Sequence, residues 1–123
     1  MPARGSGRRE GTENMGKLVD YQNAPARPAG TGASIAAITG ADAKNLQAEY
    51  IKLAAEARLD GVVPKGSDQY FFILSGDAVL AEQNKPGHPM KFGTFAIVEE
   101  SGRYVLTSKV PCEVMSVIAP PLP

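Results

Sequence analysis

One histidine, His88, and one cysteine, Cys112, carry the imidazole and thiol chemistry of this chain. His88 lies in a Pro- and Gly-rich stretch, 84–89, with Glu82 close by in sequence. The two could help hold an ion, but a transition-metal site built on several imidazoles cannot be assembled from one, and only a second copy of the chain would supply another. A solvated loop histidine is the plainer reading. Cys112 follows Pro111 and has no histidine beside it, whereas a nucleophilic thiolate needs a base or positive surroundings to lower its pKa. Glu99, Glu100 and Glu113 offer carboxylates for general-base work, yet the first two fall at a predicted turn, where charges usually face solvent. Gly30-Thr31-Gly32 lacks the Lys-Ser/Thr that a phosphate loop needs.

The scaffold behind these residues is bounded by composition. At 123 residues and 43% hydrophobic content the chain fits one domain, without material for a second core. Thirteen basic residues balance thirteen acidic ones, so there is no electrostatic footprint for nucleic acid and no polybasic patch for a membrane surface. The longest apolar run, 70–74, is far short of the roughly 20 residues of a spanning helix, which predicts a soluble protein. A single cysteine cannot form an internal disulfide and suits a reducing cytoplasm. Residues 1–16 carry Arg4, Arg8 and Arg9 with no apolar segment behind them, and Glu10 and Glu13 among them, so they match neither a secretory signal nor an acid-poor transit peptide. Having almost nothing to bury, they are expected to form a flexible extension ahead of a domain spanning 17–123.

Within that domain, Leu18 and Val19 start a segment broken by Pro25, Pro28, Gly30 and Gly32, expected as an irregular arm across the barrel or a partner subunit. Residues 34–39 form a candidate short strand ending at Gly40. The stretch 42–60 supports two readings. Leu46, Tyr50, Leu53, Ala54 and Ala57 make a helical stripe that an Asp42 cap and Gly61 would bound. Against that, Ile51, Leu53, Ala55, Ala57 and Leu59 alternate with Lys52, Ala54, Glu56, Arg58 and Asp60, spoiled only by Ala54, and strand is favoured. Strands then follow at 69–74 and 78–82 around the Ser75-Gly76-Asp77 bend, at 91–99, at 103–110 after the turn 100–102, and at 112–119, with 84–89 as a loop. Short strands between Gly and Pro turns signal a sandwich or barrel. Phe71 and Ile73 oppose Tyr70, Phe72 and Leu74, so both sheet faces are apolar and a homodimer is expected to cover the outer one.

Residues 59–76, Leu-Asp-Gly-Val-Val-Pro-Lys-Gly-Ser-Asp-Gln-Tyr-Phe-Phe-Ile-Leu-Ser-Gly, resemble the first sequence motif of the cupin superfamily. There a His-x-His pair, a Glu, an aromatic strand and a Leu-Ser-Gly bend follow a Gly. Residues 93–104, Gly-Thr-Phe-Ala-Ile-Val-Glu-Glu-Ser-Gly-Arg-Tyr, loosely match the second motif, and Ala119-Pro120-Pro121 resembles the end of many cupin domains. The resemblance covers 51–121 and implies an all-β, single-domain, RmlC-like jelly-roll barrel behind a flexible N-terminal arm. Counted from Gly76, the family's metal-binding Glu falls on Gln69 and its His pair on Val63 and Lys65, or on Val62 and Pro64. Counted from Gly93, its last His falls on Tyr104. None of these is a good ligand for a first-row metal at neutral pH, so the resemblance implies a barrel whose metal site has been replaced, with no cofactor.

The same alignment makes Lys65 and Tyr104 the candidate catalytic pair: an ammonium beside a phenol in a partly desolvated cavity could bind a carboxylate or enolate and move a proton. Gln69 keeps the shape of the family's Glu without its charge and suits a neutral polar contact. Tyr50, Tyr70, Phe72, Phe92, Phe95, Met90 and Met115 supply apolar bulk for a pocket or a closed core, and Tyr50, Phe72, Met90 and Met115 join Gln69 as candidate ligand contacts. The expected function is metal-independent binding of a compact anionic or carbonyl-bearing ligand. An isomerase, lyase or cyclase using Tyr104 and Lys65 is the alternative, and a metal-dependent dioxygenase the less favoured one.

Overall fold

The computed structural model describes residues 18–40 and 44–121. The expected extension, 1–16, and the Asp42 cap lie outside them. Nine strands run through the described residues: β1 (Ala26–Ala29), β2 (Thr31–Ala37), β3 (Gln47–Val62), β4 (Asp68–Ser75), β5 (Asp77–Glu82), β6 (His88–Lys91), β7 (Phe95–Val98), β8 (Arg103–Ser108) and β9 (Cys112–Ala119). Every pairing is antiparallel, in the order β6-β5-β8-β3-β9-β4-β7, with the β1–β2 hairpin added to β3. Among the described residues no helix is long and apolar enough to cross a membrane.

The long strand β3 closes the barrel. Its first half pairs with β2 and β9 and its second half with β8, so it belongs to both a large sheet, β1-β2-β3-β9-β4-β7, and a small one, β6-β5-β8-β3. The alternation that favoured strand over helix is what the fold uses: Ile51, Leu53, Ala57 and Leu59 are buried between exposed Lys52, Glu56, Arg58 and Asp60. Ala55 breaks the expected phase and is exposed. It falls between the last partner on β9, Leu53↔Cys112, and the first on β8, Ala57↔Ser108, where Glu56 at φ +59° turns the strand from one sheet into the other.

The segment expected as an irregular arm is more ordered than its prolines suggest. A single 3₁₀ turn, Tyr21–Asn23, is capped by Asp20, and β1 and β2 form a hairpin on the sheet edge. Pro28 is tolerated because an edge strand has one side without ladder hydrogen bonds to donate. Gly30, at φ +54°, makes the turn, and a Cβ there would stand 2.2 Å from the Arg58 carbonyl oxygen. The segment does lie across the barrel, since the Tyr21 ring packs edge-on against Tyr50 at 4.7 Å. His88 begins the edge strand β6, where a loop was expected, opposite Leu80.

The core sits between the sheets. Phe71, Ile73, Ile51, Leu53, Leu106, Val98 and Val114 are all but fully buried, each stabilising the fold by roughly 1.5–3 kcal/mol relative to exposure. Phe71 meets Tyr104 edge-to-face at 4.9 Å, tying β4 of the large sheet to β8 of the small one.

Candidate functional site

Strand parity decides what reaches the barrel interior. On β4 the inward row is Gln69, Phe71 and Ile73, and on β8 it is Tyr104, Leu106 and Ser108. On β9 Ser116 faces inward opposite Glu49 of β3. Two sequence candidates, Gln69 and Tyr104, therefore meet inside the barrel, and the structure adds Ser116 and Glu49 to them. The Gln69 Nε2 donates to Ser116 Oγ at 2.8 Å, and the Gln69 side chain also hydrogen-bonds the Tyr104 hydroxyl. Gln69 and Ser116 are almost fully buried, so this amide satisfies hydroxyl groups that would otherwise be stranded in the core.

The ring of Tyr104 lies on the backbone of Gly61, its register partner on β3, where a Cβ would come within 2.3 Å of the phenol. Only glycine leaves room for the tyrosine to point down the barrel. Burial pushes the Tyr104 pKa up, the charge of Glu49 adds to the rise, and the Gln69 hydrogen bond works against it. The group is thus held as a neutral phenol, a donor. Glu49 is itself pushed above the usual carboxylate range by burial, partly offset by Arg27 of β1, whose Nη2 stands 3.9 Å from Glu49 Oε2. A neutral phenol and a carboxyl whose pKa is raised by burial make a polar end of the barrel suited to a carbonyl or enolate oxygen.

Other sequence candidates go elsewhere. Lys65 is exposed in the β3–β4 loop, and its side chain makes no hydrogen bond or ion pair with any described residue. That loop is clamped by Glu100, whose Oε1 accepts from Gly66 N at 2.7 Å, so Glu100 holds the loop in place. Tyr50, Phe72 and Met115 are register partners on the outer face of the large sheet, opposite to Gln69, and do not line the interior. Their apolar bulk drew attention, but their phase points them out. Met90 does face inward, at the far end of the barrel, near a cleft of about 830 Å³. Cys112 is buried, and that burial, with Asp77 and Glu113 nearby, pushes its thiol up to about 11, away from nucleophilic use. Glu113 is engaged on the outer face, accepting from the hydroxyls of Tyr50 and Ser75.

The positions to which the motifs assign a metal do not fit one. Val63 is fully buried without a donor atom, Lys65 is exposed, and the Gln69 amide is taken by Ser116 and Tyr104. Among the described residues no three His, Cys, Asp or Glu side chains gather as a metal site requires. His88 is exposed, and Glu82 pairs with Lys85 at 3.6 Å.

No family model matches the chain, and no curated protein has significant sequence similarity to it. Solved structures are similar. KdgF from Halomonas sp. superposes with a TM-score of 0.74 at 12% identity, over 87% of this chain and 96% of that one. The polyketide cyclase RemF from Streptomyces resistomycificus gives 0.72 at 13% identity, over 87% and 83%. An RmlC-like cupin from Shewanella frigidimarina gives 0.68 at 12% identity, over 81% and 86%. At such identities likeness speaks for fold alone, and here it agrees with the motifs, the strand order and a barrel closed by β3: the chain is a cupin by fold, an RmlC-like jelly roll.

Proposed function

We propose that this chain is a metal-independent cupin-fold binding protein that takes a compact carbonyl- or carboxylate-bearing ligand at the Gln69–Ser116–Tyr104 end of the barrel. The observation that carries the reading is the buried, hydrogen-bonded trio with Glu49 close enough for its charge to be felt at the phenol. Tyr104, held as a neutral phenol, recognises a carbonyl oxygen as a donor. Arg27 near the site and Lys65 in the clamped loop balance a ligand's negative charge. The chain acts in a reducing cytoplasm, where the buried free thiol of Cys112 stays reduced.

A catalytic version of the same site is favoured by one feature, the coupling of Glu49 to Tyr104. With the Tyr104 phenol giving a proton to one atom of a bound ligand and the ionised Glu49 carboxylate taking one from another, the pair can move a proton across it, the step an isomerase, lyase or cyclase needs. RemF, a polyketide cyclase, has a similar fold, though fold alone does not transfer activity.

The test is titration calorimetry and turnover with a panel of small keto and hydroxy acids, on wild type, Tyr104→Phe and Lys65→Ala, with elemental analysis of the purified protein. We expect saturable binding, an affinity loss of about tenfold in Tyr104→Phe, and substoichiometric metal. Loss of turnover in Tyr104→Phe makes the chain an enzyme. Stoichiometric transition metal, or binding indifferent to both substitutions, overturns the proposal.

The outer face of the large sheet belongs to the same proposal. Phe92, Phe95 and Ile97 are 70%, 58% and 53% exposed beside Tyr70 and Phe72. Their clustering supports a homodimer in which a second copy covers them.

A further inference from the structure

The strand edges among the described residues, β1, β6 and β7, are not alike. β1 and β6 each carry a proline and a cation, Pro28 with Arg27 and Pro89 with Lys91. Proline withholds a donor and a charge resists burial, and both keep an edge strand from pairing with another chain. β7 ends the large sheet with neither. Its residues, Phe-Ala-Ile-Val, are all apolar, and β4 is its sole ladder partner among the described residues.

Main-chain parity settles which groups of β7 are free. One rung beyond its end, Ile73 N donates to the Thr94 carbonyl oxygen at 3.4 Å. Hydrogen-bonded and non-hydrogen-bonded pairs alternate along an antiparallel ladder. Phe71↔Ala96 and Gln69↔Val98 are therefore bonded pairs, and the N–H and C=O of Phe95 and Ile97 point away from β4. The same two residues carry the exposed side chains, while Val98 is buried and Ala96 half-buried on the inward row.

Such an edge is complementary to itself. When a second β7 is turned about a twofold axis through Ala96, perpendicular to the sheet, Phe95 of each copy faces Ile97 of the other. Both pairs are then of the bonded kind, so every outward N–H meets an outward carbonyl, and each Phe95 ring lies against a branched aliphatic side chain on the outer face. No charged side chain stands within the strand to oppose the approach.

We propose that two copies of this chain join edge to edge through β7, making one antiparallel sheet that runs from β4 of one barrel through both β7 strands to β4 of the other. This rests on the homodimer read from the outer face, and it assigns the contact to the main-chain groups of Phe95 and Ile97 rather than to face-to-face packing of the aromatic patch.

The experiment is residue-resolved amide hydrogen exchange on the full chain, above and below the dissociation constant given by sedimentation equilibrium, together with Ile97→Pro and Ile97→Ala. The amides of Phe95 and Ile97 are expected to be protected at least about tenfold more in the dimer than in the dilute chain, while Ala96 and Val98, bonded to β4, stay protected in both. Ile97→Pro removes an N–H that faces water in a single chain, so its circular dichroism should match wild type while the dissociation constant rises by about a hundredfold. Ile97→Ala keeps that N–H and should raise the constant by less than about tenfold. A wild-type chain that stays monomeric at high micromolar concentration overturns the homodimer and this mode with it. A dimer in which Phe95 and Ile97 exchange as fast as in the dilute chain, or whose dissociation constant Ile97→Pro leaves unchanged, keeps the homodimer and overturns the edge pairing. Protection that persists on dilution puts another part of the same chain on the edge and also overturns it. If Ile97→Pro does not fold, the wild-type exchange pattern decides alone.

Discussion

The two faces of β4 each depart in one respect from what a sheet in water usually shows. The inward row starts with a polar amide, Gln69, bonded to buried hydroxyls, while the outward row Tyr70, Phe72 and Leu74 is apolar and continues into the exposed Phe95 and Ile97 of β7. Burying an amide costs free energy unless its hydrogen bonds are made, and leaving aromatics in water forgoes their burial. The polar end of the interior is thus what a bound ligand would use, and the apolar exterior is what a second subunit would use.

The largest effect should come from adjacent residues on opposite faces. Phe71→Ala removes a fully buried ring in edge-to-face contact with Tyr104 and should lower the unfolding free energy by about 3–5 kcal/mol. Phe72→Ala, half-buried on the outer face, should cost the isolated chain about 1 kcal/mol. Urea denaturation at low protein concentration measures both, and equal losses would mean that the outer face already belongs to a core within one chain.

Next in size is the outer face as an interface. Phe95→Glu with Ile97→Glu puts two carboxylates where apolar side chains are exposed, and should raise the dimer dissociation constant by about a hundredfold or more. The fold of the single chain should be nearly untouched, because both positions are more than half exposed. Sedimentation equilibrium decides the matter: a wild-type chain that is monomeric at high micromolar concentration removes the second copy as the occupant of this face.

How far such a contrast is legible in sequence depends on whether the signal is local. The alternation through 69–74, the Ser75-Gly76-Asp77 bend and the returning strand are local, and the structure follows them closely. In β3 the period-two pattern outweighed a helical stripe, since burial against two sheets decides the conformation of a stretch whose propensities favour helix. The β1–β2 hairpin was hidden because Pro28 and Gly30 act as breakers in isolation and as edge strand and turn once a partner strand exists. At the site, motif spacing placed Gln69 and Tyr104. Glu49 and Ser116 escaped, although each shares parity with buried neighbours, Ile51 and Leu53 in one case and Cys112 and Val114 in the other. A carboxylate in an apolar phase was the available signal. That the two face one another depends on the β3–β9 register, a pairing between residues far apart in the chain. Tyr50, Phe72 and Met115 show the converse, since size attracted notice while phase sent them outside.

The smallest and sharpest contrast lies in the carboxylates on the two faces. Inside, burial raises the Glu49 pKa above the ordinary 4.5, so the folded chain holds that proton more tightly than the unfolded chain does. Its contribution to stability therefore falls as pH rises from about 4.5 through the folded value, and levels off above it. Outside, hydrogen bonds from Tyr50 and Ser75 lower the Glu113 pKa, so its contribution is present above about 4.5 and is lost as pH falls through the folded value. Glu49→Gln should thus be more stable than wild type at pH 7, by no more than about 1 kcal/mol, with the gain vanishing below pH 4.5. Glu113→Gln should be less stable at pH 7 and converge with wild type in acid. Thermal melts followed by circular dichroism from about pH 3 to pH 8 record both profiles. Curves of the same sign would mean that Glu49 is solvated in the free protein, and that the polar end of the barrel is open to water.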